Sequence, residues 1–342
     1  MPQRATIADV AHAAGVSKTA VSVALSGKGR VGKQTRERVL EVAAALGWLP
    51  SQQARGLSES RSYAVGIVFA RDVTVLGADP FFAPFIAGLE QQLGAQGYML
   101  CLQVDTSCDE DHELALYRRL AAEGRVDGVI LTDVRVDDPR MRLLAEVGLP
   151  FVSLGSPVKQ KTGAVVCNDE EDAVQISLLH LAALGHREVA FVSGPESFNH
   201  ARTSRTAFMR MAPMMGIQPE LIESDFMPAT GLNAMRAILS RAERPQAIIF
   251  ANSLMAIAAM KEMQDQGIRV PEDVSVMSLS DHPLADWFRP ALTSISSDSV
   301  ELGRLCVDQL MSLLSQKRAP DDIVVRNPLV VRSSTGRVPT AP

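Results

Sequence analysis

The chain has 342 residues, 46% apolar and 21% charged, with 34 Lys and Arg against 39 Asp and Glu for a net charge of −5. This is an ordinary soluble composition on a chain too long for one hydrophobic core, so two or three domains are expected. MPQRATIADV has no apolar segment of signal-peptide length, and nowhere do about 18 uncharged apolar residues run together, so a cytoplasmic protein without a membrane partner is expected.

The first predicted elements are three short helices. Thr6 is placed to cap the first, with Asp9 three residues on, a capping box with the shorter acid. Ile7, Val10, Ala11 and Ala14 then recur at helical spacing as one apolar stripe, and Gly15 supplies the turn. Ser17 is placed to cap a second helix on which Val21, Ala24 and Leu25 share a face. Thr19, Ser22, Val23 and Ser26 lie away from that face, with Lys18 at the N-terminal end. A third helix follows Gly32, with Val39, Val42, Ala43 and Leu46 as its stripe. Two helices joined by a glycine-containing turn, the second exposing small polar residues and a lysine, make a helix-turn-helix.

Charge separates this reading from a plain three-helix bundle. Residues 1–61 hold nine Lys and Arg against four acids, a balance of +5, which leaves −10 for the rest of the chain. A basic head on an acidic body suits phosphate binding. The polar stretch PSQQARGLSESRS follows as a linker; Gln52 to Leu57 is long enough for one and a half helical turns, marginal alone in water and weakened by Gly56.

TIADVAHAAGVS, the Val21–Ser22 pair, TRERV at Thr35–Val39 and GWLP before an A-R-x-L segment together resemble the DNA-binding headpiece of the LacI/GalR family of bacterial transcriptional regulators. The resemblance implies that the second helix reads the major groove of operator DNA. It also implies a hinge helix that orders on DNA, with Ala54 and Leu57 as contacts and Leu57 as a minor-groove wedge. Val23 stands where many relatives have arginine; valine offers only apolar contact, such as to a thymine methyl. Base reading therefore falls to Lys18 and Thr19 with Val23, Ser26 sharing their outward face. Thr6, Ser17, Ser22, Arg30, Thr35 and Arg36 are candidates for phosphate, where contacts position without specifying. Gly32 replaces the serine that usually caps the third helix.

From Tyr63 the pattern becomes strand alternating with helix: YAVGIVFA, FIAGLEQQLGAQG, YMLCLQV, ELALYRRLAAEG, VDGVILT, MRLLAEVG, PFVSLG. A second cycle begins after Thr162 with AVVC, AVQISLLHLAALG, EVAFVSG, TAFMRMAPMMG and LIESDF, and ends on VSVMSLS. Such alternation signals parallel sheets covered on both faces, and two runs of it suggest two α/β lobes. GHREVAFVSG, IRVPEDVSVMSLSD and PALTSI are similar to the periplasmic-binding-protein-like core of the same family. The expected division is a headpiece over 1–50, a hinge over 51–61 and a core over 62–342. Its N-lobe spans about 62–162 and 294–325, its C-lobe about 163–293 and 326–342, with three crossings between them. The resemblance further implies a homodimer on a two-fold operator and a small effector, a sugar or related metabolite, in the cleft.

By the same resemblance the cleft lining includes Phe81, Phe82, Phe226, Asn252, Ser280 and Asp281. Here the sequence departs from its relatives. An arginine that grips the effector in many of them is replaced by Ser204, with Arg202 and Arg205 close by. The first of two aspartates after the VSV strand is Ser280, and the aspartate after Asn252 is Ser253. Charged anchors make the stronger hydrogen bonds to hydroxyls, so either the effector is different or the pocket has lost its ligand.

The tail SSTGRVPTAP carries no apolar heptads for a tetramer. Cys101, Cys108, Cys167 and Cys306 lack metal-ligand spacing, and His180 and His186 stand six apart, so no metal and no cofactor are expected. No GxSxG or GxxxxGK[ST] is present, and no GxGxxG follows a strand, to carry an enzyme. An exported solute-binding protein would not need Met1–Arg61.

Overall fold

The computed structural model describes residues 5–26, 31–48, 61–71, 73–107, 109–155, 163–316 and 321–338. The chain forms two compact units, Met1–Tyr63 and Ala64–Pro342. Arg30, Ala54, Leu57 and hinge residues 51–60 lie outside the described residues.

In the first unit, α1 (Ile7–Ala14), α2 (Lys18–Ser26) and α3 (Lys33–Ala45) enclose Val10, Ala14, Val21, Ala24, Val39 and Ala43. Thr6 and Asp9 form the capping box: the Asp9 amide donates to the Thr6 hydroxyl and the Thr6 amide donates to the Asp9 carboxylate at 2.8 Å. Gly15 holds φ at +64°, the left-handed turn that a side chain would resist. The Ala20 amide donates to Ser17 Oγ at 3.1 Å, while Gly32 gives α3 no side-chain cap. Leu46 departs from the expected stripe. It ends α3 as the C-cap and is exposed, and Trp48 packs on the core instead.

The second unit contains two six-stranded sheets. The first is ordered β11-β5-β4-β3-β1-β2, from β1 (Ala64–Ala70), β2 (Met99–Asp105), β3 (Gly128–Leu131), β4 (Phe151–Leu154), β5 (Ala164–Asn168) and β11 (Ile323–Val325). The second is ordered β12-β10-β9-β8-β6-β7, from β6 (Glu188–Ser193), β7 (Gln218–Glu223), β8 (Ala247–Phe250), β9 (Ser275–Ser278), β10 (Thr293–Ile295) and β12 (Leu329–Val330). All pairings are parallel except β10 with β12. Strands β3 and β8 are buried throughout, which is why they read as unbroken apolar runs.

The helices of the first lobe are α4 (Val73–Ala78), α5 (Phe82–Ala95), α6 (Glu110–Ala122), α7 (Pro139–Val147) and α12 (Ser299–Gln316). Those of the second are α8 (Glu170–Ala183), α9 (Asn199–Met214), α10 (Pro228–Leu239) and α11 (Ser253–Asp265). Helix α12 packs on α5 where Gly88 meets Gly303. A Cβ on Gly88 would lie 2.1 Å from the Val300 carbonyl oxygen, so only glycine permits that approach.

Two expected boundaries move. Strand β5 was placed in the C-lobe, but Ala164–Val166 pair with Val152–Leu154 of β4, so the first crossing follows Asn168 rather than residue 162. Residues 294 and 295 were placed in the N-lobe, yet Thr293 and Ser294 pair with β9, so the return follows Ile295. Hydrogen bonding to a neighbouring strand, invisible in an apolar run, decides membership.

The three crossings are stitched together. The Asp169 amide donates to the Val325 carbonyl at 2.8 Å, the Ser296 amide to the Pro328 carbonyl at 2.9 Å, and Ser297 Oγ to Asn168 Oδ1 at 3.3 Å. A second tie joins the lobes across the cleft: the Asn199 amide donates to the Val134 carbonyl at 2.9 Å, and its side chain to the Arg135 carbonyl at 3.0 Å.

Candidate functional site

On the first unit, the apolar side of α2 is spent on the three-helix core, which leaves Ser17, Lys18, Thr19 and Ser22 exposed. Val23 is half-buried at the edge of this face, and Ser26 closes the helix. Arg36 is exposed near the start of α3, with Thr35 half-buried beside it. Thr6 and Ser17 are occupied as caps, yet both are exposed.

On the second unit, a cavity of about 590 Å³ opens between the lobes beyond the carboxyl ends of the strands. Phe81, Phe82, Ser204, Phe226, Asn252, Ser280 and Asp281 all line it. Arg202 and Arg205 do not. The inward stripe of α9 runs through Ala201, Ser204 and Phe208, and each arginine sits one residue, about 100°, off that stripe. Arg202 is exposed, and Arg205 pairs with Glu223 at 2.8 Å and Glu196 at 3.4 Å.

Phe226 is held in place by backbone geometry. Its φ of +69° lies in the left-handed region, and its ring lies over Gly194 at the end of β6, where a Cβ would fall 1.9 Å from the ring. His200 stacks on that ring at 5.5 Å. Burial pushes the His200 imidazole down to about 4, so it is neutral at pH 7.

The polar residues of the second lobe are largely engaged by the protein itself. Asn252 caps α11 by accepting from the Met255 amide at 2.9 Å and donates to the Phe226 carbonyl at 2.9 Å. Ser280 Oγ accepts from the Ser253 amide at 3.0 Å. Asp281 is gripped by Arg332 in a two-point pair at 3.0 and 3.1 Å and accepts from Ser294 at 2.7 Å. Burial alone would raise its pKa, but these hydrogen bonds hold the carboxyl below its ordinary value.

Sequence reasoning missed Arg71, Asp79, Asp133, Glu170 and His200. Arg71 and Asp133 form a two-point ion pair, with Nε to Oδ2 at 2.6 Å and Nη2 to Oδ1. The guanidinium lies over Phe82 at 5.7 Å and over Phe198 of the other lobe at 5.5 Å. Burial would raise the Asp133 pKa, and Arg71 overrides it to leave the carboxylate below its ordinary value. Beneath the pair, Arg140 donates to the carbonyls of Thr132 and Asp133, each at 3.0 Å, while bonding to Glu113 and Asp138 in a fully buried cluster. A signal for two of the missed residues was available: Arg71 directly follows β1 and Asp133 lies two residues past β3, at the carboxyl ends where ligand sites of such sheets lie.

Asp79, Glu170 and Asp298 also belong to the charged lining. Burial raises the Asp79 pKa against a hydrogen bond from the Phe81 amide at 2.9 Å. Burial also pushes Glu170 up to about 7, opposed by a bond from Ser204 Oγ at 3.1 Å and aided by Asp169. Among the described residues no cluster of three or more His, Cys, Asp and Glu forms a metal set.

With this geometry in view, the relatives of the chain can be placed. Residues 6–51 match the model of the bacterial regulatory proteins of the lacI family, and residues 178–335 match that of the periplasmic-binding-protein-like domain. The HTH-type transcriptional regulator CelR of Thermobifida fusca is 32% identical over 342 residues, covering 97% of this chain and 98% of that protein. The solved CelR–cellobiose complex is similar at 28% identity with a TM-score of 0.74, covering 97% of this chain and 100% of that one. The Lac repressor dimer bound to operator and the anti-inducer ONPF is similar at 26% identity with a TM-score of 0.83, covering 98% and 100%. A helix-turn-helix joined to a two-sheet core, matched along nearly its whole length by such a regulator, places this chain in the lacI family of bacterial regulatory proteins.

Proposed function

We propose that the protein is a transcriptional repressor that binds a two-fold operator as a homodimer in the cytoplasm and is switched by a small ring-shaped metabolite of sugar size in the interlobe cleft. The observation that carries the reading is the outward face of α2, where Lys18, Thr19 and Ser22 stand clear of a closed three-helix core. In this reading Lys18 and Thr19, with Val23, meet base edges. Ser22, Thr35 and Arg36 meet phosphate.

Support for the dimer comes from β2, an edge strand that leaves Leu102 and Val104 exposed on one face, a surface that a second copy would cover. The solved Lac repressor on operator is likewise a dimer. Support for the effector comes from the cavity and from the cellobiose complex of CelR. A ligand switches such a protein only by binding one arrangement of the lobes more tightly than another.

Selection of random duplexes with the full-length protein tests the proposal, and an inverted-repeat sequence is the expected outcome. Lys18→Ala should weaken binding to the selected site by about 1–3 kcal/mol and relax preference at one position per half-site. Equal weakening on every sequence, with the salt slope reduced by about one, would make Lys18 a phosphate contact instead. Recovery of no preferred sequence would sink the repressor reading.

A further inference from the structure

We propose that the effector carries a protonated amine on a ring, its charge met by a cleft wall that carries Asp79 on the first lobe and Glu170 on the second. This rests on the reading of the cleft as the effector site.

Arg71 is neutralised by Asp133, and Asp281 by Arg332. Asp298 caps α12 by accepting from the Glu301 amide at 3.0 Å, next to the positive end of that helix. His200 is neutral, and the ring of His282 accepts from the Leu284 amide at 3.0 Å. Besides Asp298, two carboxyls lining the cavity remain without an ion pair, Asp79 and Glu170. Among the described residues neither has a cation within salt-bridge distance; their bonds come from the Phe81 amide and the Ser204 hydroxyl. Glu170 also differs from its neighbour in the first turn of α8: Glu171 points to solvent and pairs with Arg210, whereas Glu170 faces the cavity.

Carboxyls withdrawn from water without a cation are costly, and burial raises the pKa of both. A phosphorylated or carboxylated ligand would add negative charge to that surplus, and the one arginine lining the cavity is already paired. A neutral sugar would offer these carboxyls hydroxyl hydrogen bonds but no compensating charge. A ring amine supplies the missing charge, and the aromatic side chains Phe81 and Phe226 line the same cavity.

The test measures binding of matched probes to the full-length protein by calorimetry: glucosamine, galactosamine and tyramine, their neutral counterparts glucose, galactose and 4-ethylphenol, and glucose 6-phosphate. At least one amine should bind about tenfold or more tightly than its neutral partner, and glucose 6-phosphate should not bind. Glu170→Gln and Asp79→Asn, each checked for an unchanged circular dichroism spectrum, should narrow that gap by about fivefold or more. A neutral or phosphorylated probe binding as tightly as its amine overturns the amine and leaves the effector reading standing. Absence of binding by all seven overturns both.

Discussion

The two walls of the cleft use polar residues in opposite ways. On the second-lobe wall, Asn252 and Ser280 serve the N-terminus of α11, and Asp281 is held by Arg332 fifty-one residues away. These groups line the cavity, but their strongest bonds belong to the fold. On the first-lobe wall, Arg71 and Asp133 form a single pair pinned from below by Arg140, and the pair reaches across to Phe198. Position beyond a strand end therefore marks a residue as near the ligand; its own hydrogen bonds decide whether it is available. The three serines that the resemblance sets at anchor positions are part of this pattern: Ser204 binds Glu170, Ser280 caps α11 with its hydroxyl, and Ser253 donates its amide to that hydroxyl.

The sharpest way to break the comparison is to remove the support of the first wall. Arg140→Met deletes the guanidinium that joins Glu113, Asp138 and two loop carbonyls, all within a cluster that water does not reach. Leaving the Asp138 carboxylate without its cation, and Glu113 with Arg135 alone, should cost roughly 3–5 kcal/mol in urea denaturation followed by circular dichroism. A loss below about 1 kcal/mol would mean that the cluster behaves like a surface pair, and the first wall would no longer differ from the second.

A smaller effect separates Glu170 from every paired carboxyl in the cleft. Its pKa rises from 4.5 to about 7 on folding through burial, opposed by Ser204 and aided by Asp169. Between these values the folded state binds more protons than the unfolded one, so stability falls as pH rises through the window and stays reduced above it. Glu170→Gln keeps an acceptor for Ser204 and lacks that loss. The variant should match the parent near pH 4 and exceed it at pH 8 by at most roughly 3 kcal/mol, read as a higher Tm. A variant equal to or less stable than the parent at pH 8 would show that the carboxylate is ionised and satisfied, as Asp281 is.

What was legible in the sequence follows the range of the interactions involved. The headpiece depends on Thr6 with Asp9, on Gly15 and on stripes three and four residues apart, all contained within a few turns. The alternation of strand and helix was legible for the same reason. Arg71 with Asp133 is a pair sixty-two residues apart that exists because β1 and β3 are neighbours in the sheet. The assignment of β5 to the first sheet depends on the same strand order. Helix α12 was overlooked although Leu302, Cys306, Val307 and Leu310 carry a helical pattern, and these residues are buried. For the site, the phrases around Phe81, Phe226 and Asp281 located the cavity. The arginines at 202 and 205 failed because a one-residue offset on a helix turns a side chain by about 100°.

The smallest expected effect tests the second wall directly. Ser280→Ala removes the acceptor for the Ser253 amide at the first turn of α11. A lost helix cap costs about 1 kcal/mol, and because Asn252 still accepts from the Met255 amide, the loss should fall at the low end. If Ser280 serves the fold, the variant lowers Tm by a few degrees and leaves effector affinity within about twofold of the parent. The reverse pattern, an unchanged Tm with affinity reduced about tenfold or more, would return Ser280 to the ligand. The second wall would then be an active partner in recognition, and the contrast between the walls would be one of charge alone.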